Sequence, residues 1–277
     1  MNNYIKRESS FELIRIIAQF MIVLYHILSV AIFPTTQDSF YKALWLPLHI
    51  GVPLFILISG YFGIKASIKG LIKLIGIIFI LQVPLLIINY YIHGENLKEI
   101  IKISFFISNT PFWFMRTYLF LYLFSPVINL YLKNITIRHR ITLLIILFYI
   151  SHYIGTLQTD PSLIDGKNLI TFLFLYAIGD SLKHYRKYWN AIPKMLLLVC
   201  YMSLNIILVL WATYFNNMPH FNGIFNRIFF AYCSPILLFY YVFYFNWTNK
   251  SSIKFYKSNC KIITTYLSYT WKSNHHL

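Results

Sequence analysis

Long apolar runs alternate with short polar or charged segments along most of this chain. A helix needs about 20 mostly apolar residues to cross the hydrocarbon core of a bilayer. Runs bounded by charged or turn residues predict membrane spans at 11–33, 44–63, 71–92, 111–132, 141–157, 168–182, 194–215 and 224–246. The predicted fold class is all-α, a polytopic membrane helix bundle of about eight transmembrane helices.

The basic residues predict an orientation for this bundle. The apolar runs fall within residues 1–247, which we expect to form one transmembrane domain, and residues 248–277 are predicted to be a basic cytoplasmic tail. If successive connections alternate between the two sides, seventeen Lys and Arg fall on the side of the N-terminus and four on the other. Cytoplasmic loops of membrane proteins carry an excess of Lys and Arg. The N-terminus is therefore expected in the cytoplasm, with the protein in the plasma membrane.

Composition excludes several other classes of protein. Hydrophobic residues make up 58% of the chain and charged residues 12%, which is too apolar for a soluble globular domain. The formal net charge of +16 does not indicate nucleic-acid binding, because the basic residues form short clusters between apolar runs. Cys200, Cys233 and Cys260 show neither CxxC nor CxxH spacing, so no metal site or disulfide framework is predicted. Membrane lipids are the expected partners, and nucleic acid is not.

Six of the ionisable residues in the predicted spans are the informative ones, because a side chain of this kind costs roughly 2.5–3.5 kcal/mol on insertion scales and so marks a candidate position facing the bundle interior. They are Glu12, Arg15, His26, His49, Arg116 and Arg227. Glu12 and Arg15 are three residues apart and can pair on one helical face. Arg15 and His26 lie within about 20° of the same face, roughly 16 Å apart along the helix axis. One face of the first helix therefore carries both.

His26 is the first candidate for catalysis. Imidazole is a general base near neutral pH and can take the proton from a hydroxyl that attacks an acyl carbonyl. Arg15 suits a phosphate or a carboxylate. The alternative is that His26 is a buried histidine satisfied by a neighbouring helix, and the residues alone leave both interpretations open.

The end of the second span is the second candidate site. In LFILISGYFGIK, Ser59 and Gly60 permit close helix contact or a local break in the helix. Lys65, Lys69 and Lys73 follow at once, and such a cluster can hold the phosphates of a nucleotide-bearing donor. The positive-inside rule explains these lysines equally well.

Four segments resemble the membrane-bound acyltransferase 3 family. The first span, FELIRIIAQFMIVLYH, is similar to the family's opening pattern of an acid, an Arg, ten residues and a His. PLFILISGYF is similar to its second-span signature, and PFWFMRTYLFLYLFSPVIN and FLFLYAIGD are similar to later span elements. The resemblance extends to the last predicted span.

The resemblance implies a membrane-bound O-acyltransferase. Such an enzyme transfers an acyl group, which we expect to be acetyl, from acyl-CoA to a hydroxyl of a cell-surface polysaccharide or its lipid-linked precursor. Arg15 and His26 would be its functional pair, with His26 as the base. Acetyl-CoA, or another acyl-CoA, is then a donor substrate, and no permanently bound cofactor is expected.

The resemblance also implies roles for residues around this pair. Lys69 and Lys73 are the nearest counterparts of a basic cluster that is usually Arg in the family, and Ser59 and Gly60 complete the predicted donor site. Supporting roles are predicted for Glu12, His49, Trp113 and Arg116. No metal ligands are expected.

The C-terminus departs from the family pattern, in which the last spans form a helix pair. After Trp247 this chain is polar and basic, so we expect a C-terminally truncated member. The alternative function is a transporter or flippase for a glycolipid or polysaccharide precursor, which an inverted repeat would favour. No convincing repeat is found. A non-enzymatic membrane scaffold is a third hypothesis.

Overall fold

The structure is a computed structural model in which every described element is helical, as the all-α prediction requires. It describes residues 9–31, 46–93, 113–157 and 166–215. The predicted span 224–246, Arg227 and the predicted tail 248–277 lie outside the described residues.

Five helices follow predicted spans to within three residues at each end: α1, α3, α4, α6 and α8. The α-helices of the described residues are α1 Ser9–Ala31, α2 Gly51–Phe62, α3 Ile68–His93, α4 Trp113–Asn134, α5 Ile137–Phe148, α6 Leu169–His184, α7 Arg186–Ala191 and α8 Lys194–Phe215. A 3₁₀ helix, Leu46–Ile50, precedes α2, and a π-helical stretch, Tyr149–Leu157, continues α5.

Two predicted spans differ from the observed helices. The span 44–63 is divided at Gly51, where the 3₁₀ helix passes into α2. The span 141–157 begins one turn earlier than predicted, because the Thr136 side chain accepts the His139 N–H and caps α5. The short helix α7 was not predicted, and its six residues are far too few to cross a bilayer.

The predicted count of eight transmembrane helices is not confirmed. Within the described residues, two segments are long and apolar enough to cross a membrane, Phe11–Leu28 and Ile137–Gly155. Leu48–Phe62 and Met195–Leu204 are apolar but shorter. The core helix of a soluble protein can meet the same length and composition criteria, so the exposure of these helices is the more informative observation.

Helix α1 has two apolar faces with different environments. One face is buried, at Phe11, Ile14, Ala18 and Met21. The other is 46–66% exposed, at Leu13, Ile16, Phe20, Val23 and Ile27. Soluble monomers rarely expose a contiguous apolar stripe of this length. The exposed face is the surface expected of a helix that meets lipid.

The contacts divide the chain into two compact units. Of the described residues, the first unit comprises 9–31, 46–55 and 186–215, and the second comprises 56–93, 113–157 and 166–185. In the first unit, the 3₁₀ helix packs against α1. The approach is closest at Gly51, where a Cβ atom would lie 2.7 Å from the carbonyl oxygen of Ala18. Only a residue without a side chain fits there.

In the second unit, α2 and α6 touch through their backbones. A Cβ atom on Gly60 would overlap the backbone of Tyr176, and one on Gly179 would overlap that of Leu57. Small residues allow helices in membranes to approach in this way and gain van der Waals contact. The close helix contact that the sequence indicated at Gly60 is therefore present.

Arg140 joins the ends of three helices in the second unit. The charge pattern placed it in a basic connection, but the structure buries it, with 4% of the residue exposed. Its guanidinium donates to the Asp180 carboxylate at 2.5 Å, to the Ser181 hydroxyl at 3.2 Å and to the Leu132 carbonyl at 2.6 Å. A buried charge is tolerated when it is paired and hydrogen-bonded in this way. The end of α4, the first turn of α5 and the last turns of α6 are thereby held together.

Candidate functional site

The unbroken helix α1 carries three of the predicted site residues, Glu12, Arg15 and His26. Arg15 Nη1 donates to Glu12 Oε1 at 2.7 Å, which confirms the predicted pairing. These side chains are 41% and 44% exposed, and an ion pair that accessible adds little stability. Its effect is to orient the guanidinium. His26 is exposed, and its role as a base remains a prediction.

Tyr25 connects His26 with a second predicted site residue. The Tyr25 ring meets the His26 ring edge-on, with centroids 5.3 Å apart, and meets the His49 ring at 5.1 Å. His49 lies in the 3₁₀ helix and is 9% exposed. The structure thus brings two histidines from separate segments into contact with one aromatic ring, in the unit that also contains Arg15.

Ser59 and Gly60 occupy the last part of α2. The Ser59 hydroxyl lies 3.3 Å from the Tyr118 hydroxyl, and Gly60 is buried against α6. The helix ends at Gly63, which has a φ of +73° and donates its N–H to the Ser59 carbonyl at 3.0 Å. Glycine is the usual residue at this left-handed helix end. Packing accounts for Gly60, and the donor-site role of both residues remains a prediction.

The loop of residues 63–67, between α2 and α3, is held at Ile64 by two side chains. Tyr176 accepts the Ile64 N–H at 2.8 Å, and Asn129 donates its amide to the Ile64 carbonyl at 2.9 Å. The two side chains also bond to each other, because the Tyr176 hydroxyl donates to Asn129 Oδ1 at 2.6 Å. These three hydrogen bonds form a closed ring that holds both the N–H and the carbonyl of Ile64.

The other end of the 63–67 loop is held by Tyr122. The Tyr122 hydroxyl accepts the Ser67 N–H at 3.0 Å and lies 3.2 Å from the Ser67 carbonyl, to which it donates. Pro126 lacks an N–H and leaves the Tyr122 carbonyl without its helical partner. The Ser125 hydroxyl donates to that carbonyl at 2.7 Å and restores the bond.

Three lysines lie on this anchored loop or just after it. Lys65 lies on the loop, Lys69 and Lys73 lie in the first two turns of α3, and all three are exposed. Ser67 begins the helix, since its hydroxyl oxygen accepts the Gly70 N–H at 3.1 Å. The positive end of the helix dipole therefore adds to the charge of the lysines, and the combination attracts anions.

A cavity of about 230 Å³ lies where the loop meets α3 and α4. It is lined by Ala66, Ser67, Ile68, Leu71, Tyr122 and Leu123. Sites that enclose a whole drug-sized ligand have volumes of roughly 300–1,000 Å³. This cavity can therefore take only part of a large ligand, and its mainly apolar lining suits an aliphatic part.

Trp113 and Arg116 begin α4. The Trp113 ring packs edge-on against Phe172, with centroids 6.1 Å apart, and its carbonyl accepts the Thr117 hydroxyl at 2.8 Å. Arg116 is half-buried in the same turn. Both belong to the second unit, with Ser59, Gly60, Lys69 and Lys73, whereas the α1 residues and His49 belong to the first.

Sequence reasoning missed the side chains that anchor the loop and a polar cluster beside the π-helical stretch. In that cluster the Ser151 hydroxyl bonds to the Thr171 hydroxyl, and the Thr171 N–H donates to Asn168 at 2.9 Å, which caps α6. His152 is buried beside them, 7% exposed, with its ring stacked on Phe148 at 5.1 Å. The presence of His152 inside an apolar run was the signal in the sequence that could have indicated this cluster.

Comparison with protein families gives one match. A family model described as an acyltransferase domain, that of the acyltransferase 3 family, matches residues 8–268. The matched range includes every described helix and continues into the predicted tail. Comparisons with curated proteins and with solved structures found no match. Since the family match covers nearly the whole chain, the protein belongs to the acyltransferase 3 family and is an acyltransferase.

Proposed function

We propose that this protein is a membrane-bound O-acyltransferase of the plasma membrane. It transfers an acetyl group from acetyl-CoA to a hydroxyl of a cell-surface polysaccharide or of its lipid-linked precursor. The observation that carries the proposal is the placement of Arg15, oriented by Glu12, and His26 on one unbroken helix of an acyltransferase.

In the proposed reaction, a ring nitrogen of His26 takes the proton from the acceptor hydroxyl. The acceptor oxygen attacks the carbonyl carbon of the thioester, and the carbon–sulfur bond breaks as the new ester forms. CoA leaves as a thiolate and takes up the proton that His26 accepted. Imidazole suits both proton transfers because one nitrogen of the neutral ring accepts a proton and the imidazolium can donate it again.

Arg15 has a binding role in this scheme. Its guanidinium is planar, permanently charged and suited to bidentate contact with a phosphate or carboxylate. The 2.7 Å bond to Glu12 fixes the orientation of the guanidinium. Arg15 is therefore proposed to hold an anionic group of a substrate at a fixed place relative to α1.

The donor is proposed to bind at the 63–67 loop. Lys65, Lys69 and Lys73 supply positive charge beside the N-terminus of α3, where the phosphates of acyl-CoA would lie. The adjoining cavity of about 230 Å³ is the right size for part of the pantetheine arm. With the N-terminus in the cytoplasm, this loop faces the compartment in which acyl-CoA is made.

The proposed base is tested by His26→Gln, which keeps the size and hydrogen bonding of the side chain but cannot accept a proton at neutral pH. Membranes with matched protein levels are given labelled acetyl-CoA and acceptor glycan. We expect transfer to fall by roughly 10²–10⁴-fold, the usual contribution of a positioned base. His184→Gln, at the exposed end of α6, is the matched control and should transfer normally. Equal transfer per molecule in wild type and His26→Gln would refute the general-base role.

A further inference from the structure

The 63–67 loop is recessed along α4. Asn129 holds its first part and Tyr122 holds its last residue. At about 1.5 Å per residue, these two side chains start roughly 8 Å and 18 Å from the end of α4 at Asn134. The chain therefore leaves α2, continues along α4 away from that end, and begins α3 at its deepest point.

If α4 crosses a bilayer, non-helical backbone at this depth costs free energy, because its polar groups have no water to bond with. With the end of α4 at the cytoplasmic boundary, the loop lies roughly 8–18 Å deep in a hydrocarbon core about 30 Å thick. Irregular backbone at such depth is tolerated only where protein satisfies it or where it lines a water-filled cavity. Tyr176 and Asn129 satisfy both polar groups of Ile64, and Tyr122 satisfies both of Ser67.

The loop also has an accessible side. Lys65, which lies between the two anchored residues, is exposed, and so is Ser67 itself. Ammonium groups are not left in hydrocarbon, so the exposed side of the loop must face water. The opposite side of α4 is different, because Val127 and Phe124 are 69% and 51% exposed and apolar.

We propose that Tyr122, Asn129 and Tyr176 are positioning residues of the donor site. They hold the 63–67 loop as a re-entrant segment that lines a cytoplasm-facing aqueous recess, and they present Lys65 and Lys69 to the phosphates of acyl-CoA at that depth. The identity of the ligand rests on the proposed function. The anchors rest on the hydrogen bonds alone, and the recess rests on them together with α4 crossing the bilayer with Asn134 at its cytoplasmic end.

The kinetic test removes single hydroxyl groups. Tyr122→Phe and Tyr176→Phe keep the ring and lose the bonds to the loop. Each should raise KM for acetyl-CoA about tenfold, the factor that corresponds to about 1.4 kcal/mol of lost hydrogen bonding, while kcat changes less than about twofold. Tyr131→Phe, an exposed tyrosine on the same helix, is the control and should leave both constants unchanged. A loss confined to kcat, or to protein abundance, would overturn the positioning role.

The structural test is independent of activity and uses cysteine labelling. In a chain with Cys200, Cys233 and Cys260 replaced by Ser, single cysteines are introduced as Ser67→Cys and, on the apolar side of α4 and nearer its end, as Val127→Cys. A membrane-impermeant thiol reagent is applied to inside-out vesicles. Ser67→Cys should label at least tenfold faster than Val127→Cys, and adding Tyr122→Phe should change the Ser67→Cys rate severalfold.

The outcomes separate the inference from the proposed function. Labelling of Ser67→Cys as slow as that of Val127→Cys would overturn the aqueous recess. A labelling rate unaffected by Tyr122→Phe would overturn the anchoring. Acetyl-CoA added before the thiol reagent should slow the labelling of Ser67→Cys. If the labelling otherwise behaves as expected but acetyl-CoA does not slow it, and wild-type membranes transfer no acetyl group, the recess stands and acetyl-CoA is not its ligand.

Discussion

The backbone contact between α2 and α6 makes Gly60→Ala an informative substitution. The added Cβ would lie 2.9 Å from the carbonyl carbon of Tyr176, where ordinary contacts begin at 3.4 Å. The obstacle is backbone, which cannot rotate away as a side chain can. The two helices must therefore separate by more than about half an ångström along this contact.

The size of the effect follows from two opposing terms. Overpacking a well-packed contact costs typically about 1–3 kcal/mol, and a backbone overlap belongs at the upper end. Replacing Gly by Ala inside a helix returns about 1 kcal/mol. Gly60→Ala should therefore lower the free energy of unfolding by about 1–2 kcal/mol. Gly76→Ala is the matched control, because a Cβ there meets nothing within 4 Å.

Thermal unfolding of the detergent-solubilised protein, followed by fluorescence-detected size exclusion, measures this difference. The Tm of Gly60→Ala should lie roughly 5–10 °C below that of Gly76→Ala. Gly179→Ala should resemble Gly60→Ala, and the double variant should cost less than the sum, because helices already separated leave room for the second methyl. Equal Tm values for Gly60→Ala and Gly76→Ala would show that the two helices are not in backbone contact.

Three further predictions concern charge. Arg140→Met leaves the Asp180 carboxylate without its partner and should lower the free energy of unfolding by about 3–5 kcal/mol in the same thermal assay. Adding Asp180→Asn should recover part of that stability. Full stability of Arg140→Met alone would contradict the observed ion pair. Arg15→Lys should reduce acetyl transfer at least tenfold at matched protein levels, because an ammonium cannot replace a planar fork, and normal transfer would make Arg15 a simple anchor. Reporter fusions within 183–190 should be cytoplasmic and those within 160–166 external, and the reverse result would invert the topology.

The residues of α1 show what the sequence determined. Apolar periodicity and flanking charges predicted this helix to within two residues at each end. The pairing of Arg15 with Glu12 also followed from their spacing, since residues three apart on a helix are neighbours whatever the rest of the chain does. The family was recognisable for the same reason, because its most specific pattern lies within one helix.

The 63–67 loop shows what only the tertiary structure decided. Its position after the Ser-Gly helix end was visible in the sequence, but Ile64 is held by Asn129 and Tyr176, which are 65 and 112 residues away along the chain. Likewise, the sequence indicated that Arg140 was one more basic residue of a connection. Only the structure showed that it pairs with Asp180, 40 residues away along the chain. Helical periodicity is a local property that neighbouring residues encode directly. The partner of a polar side chain depends on which helices pack together and at what depth, and no local pattern in this chain specifies that.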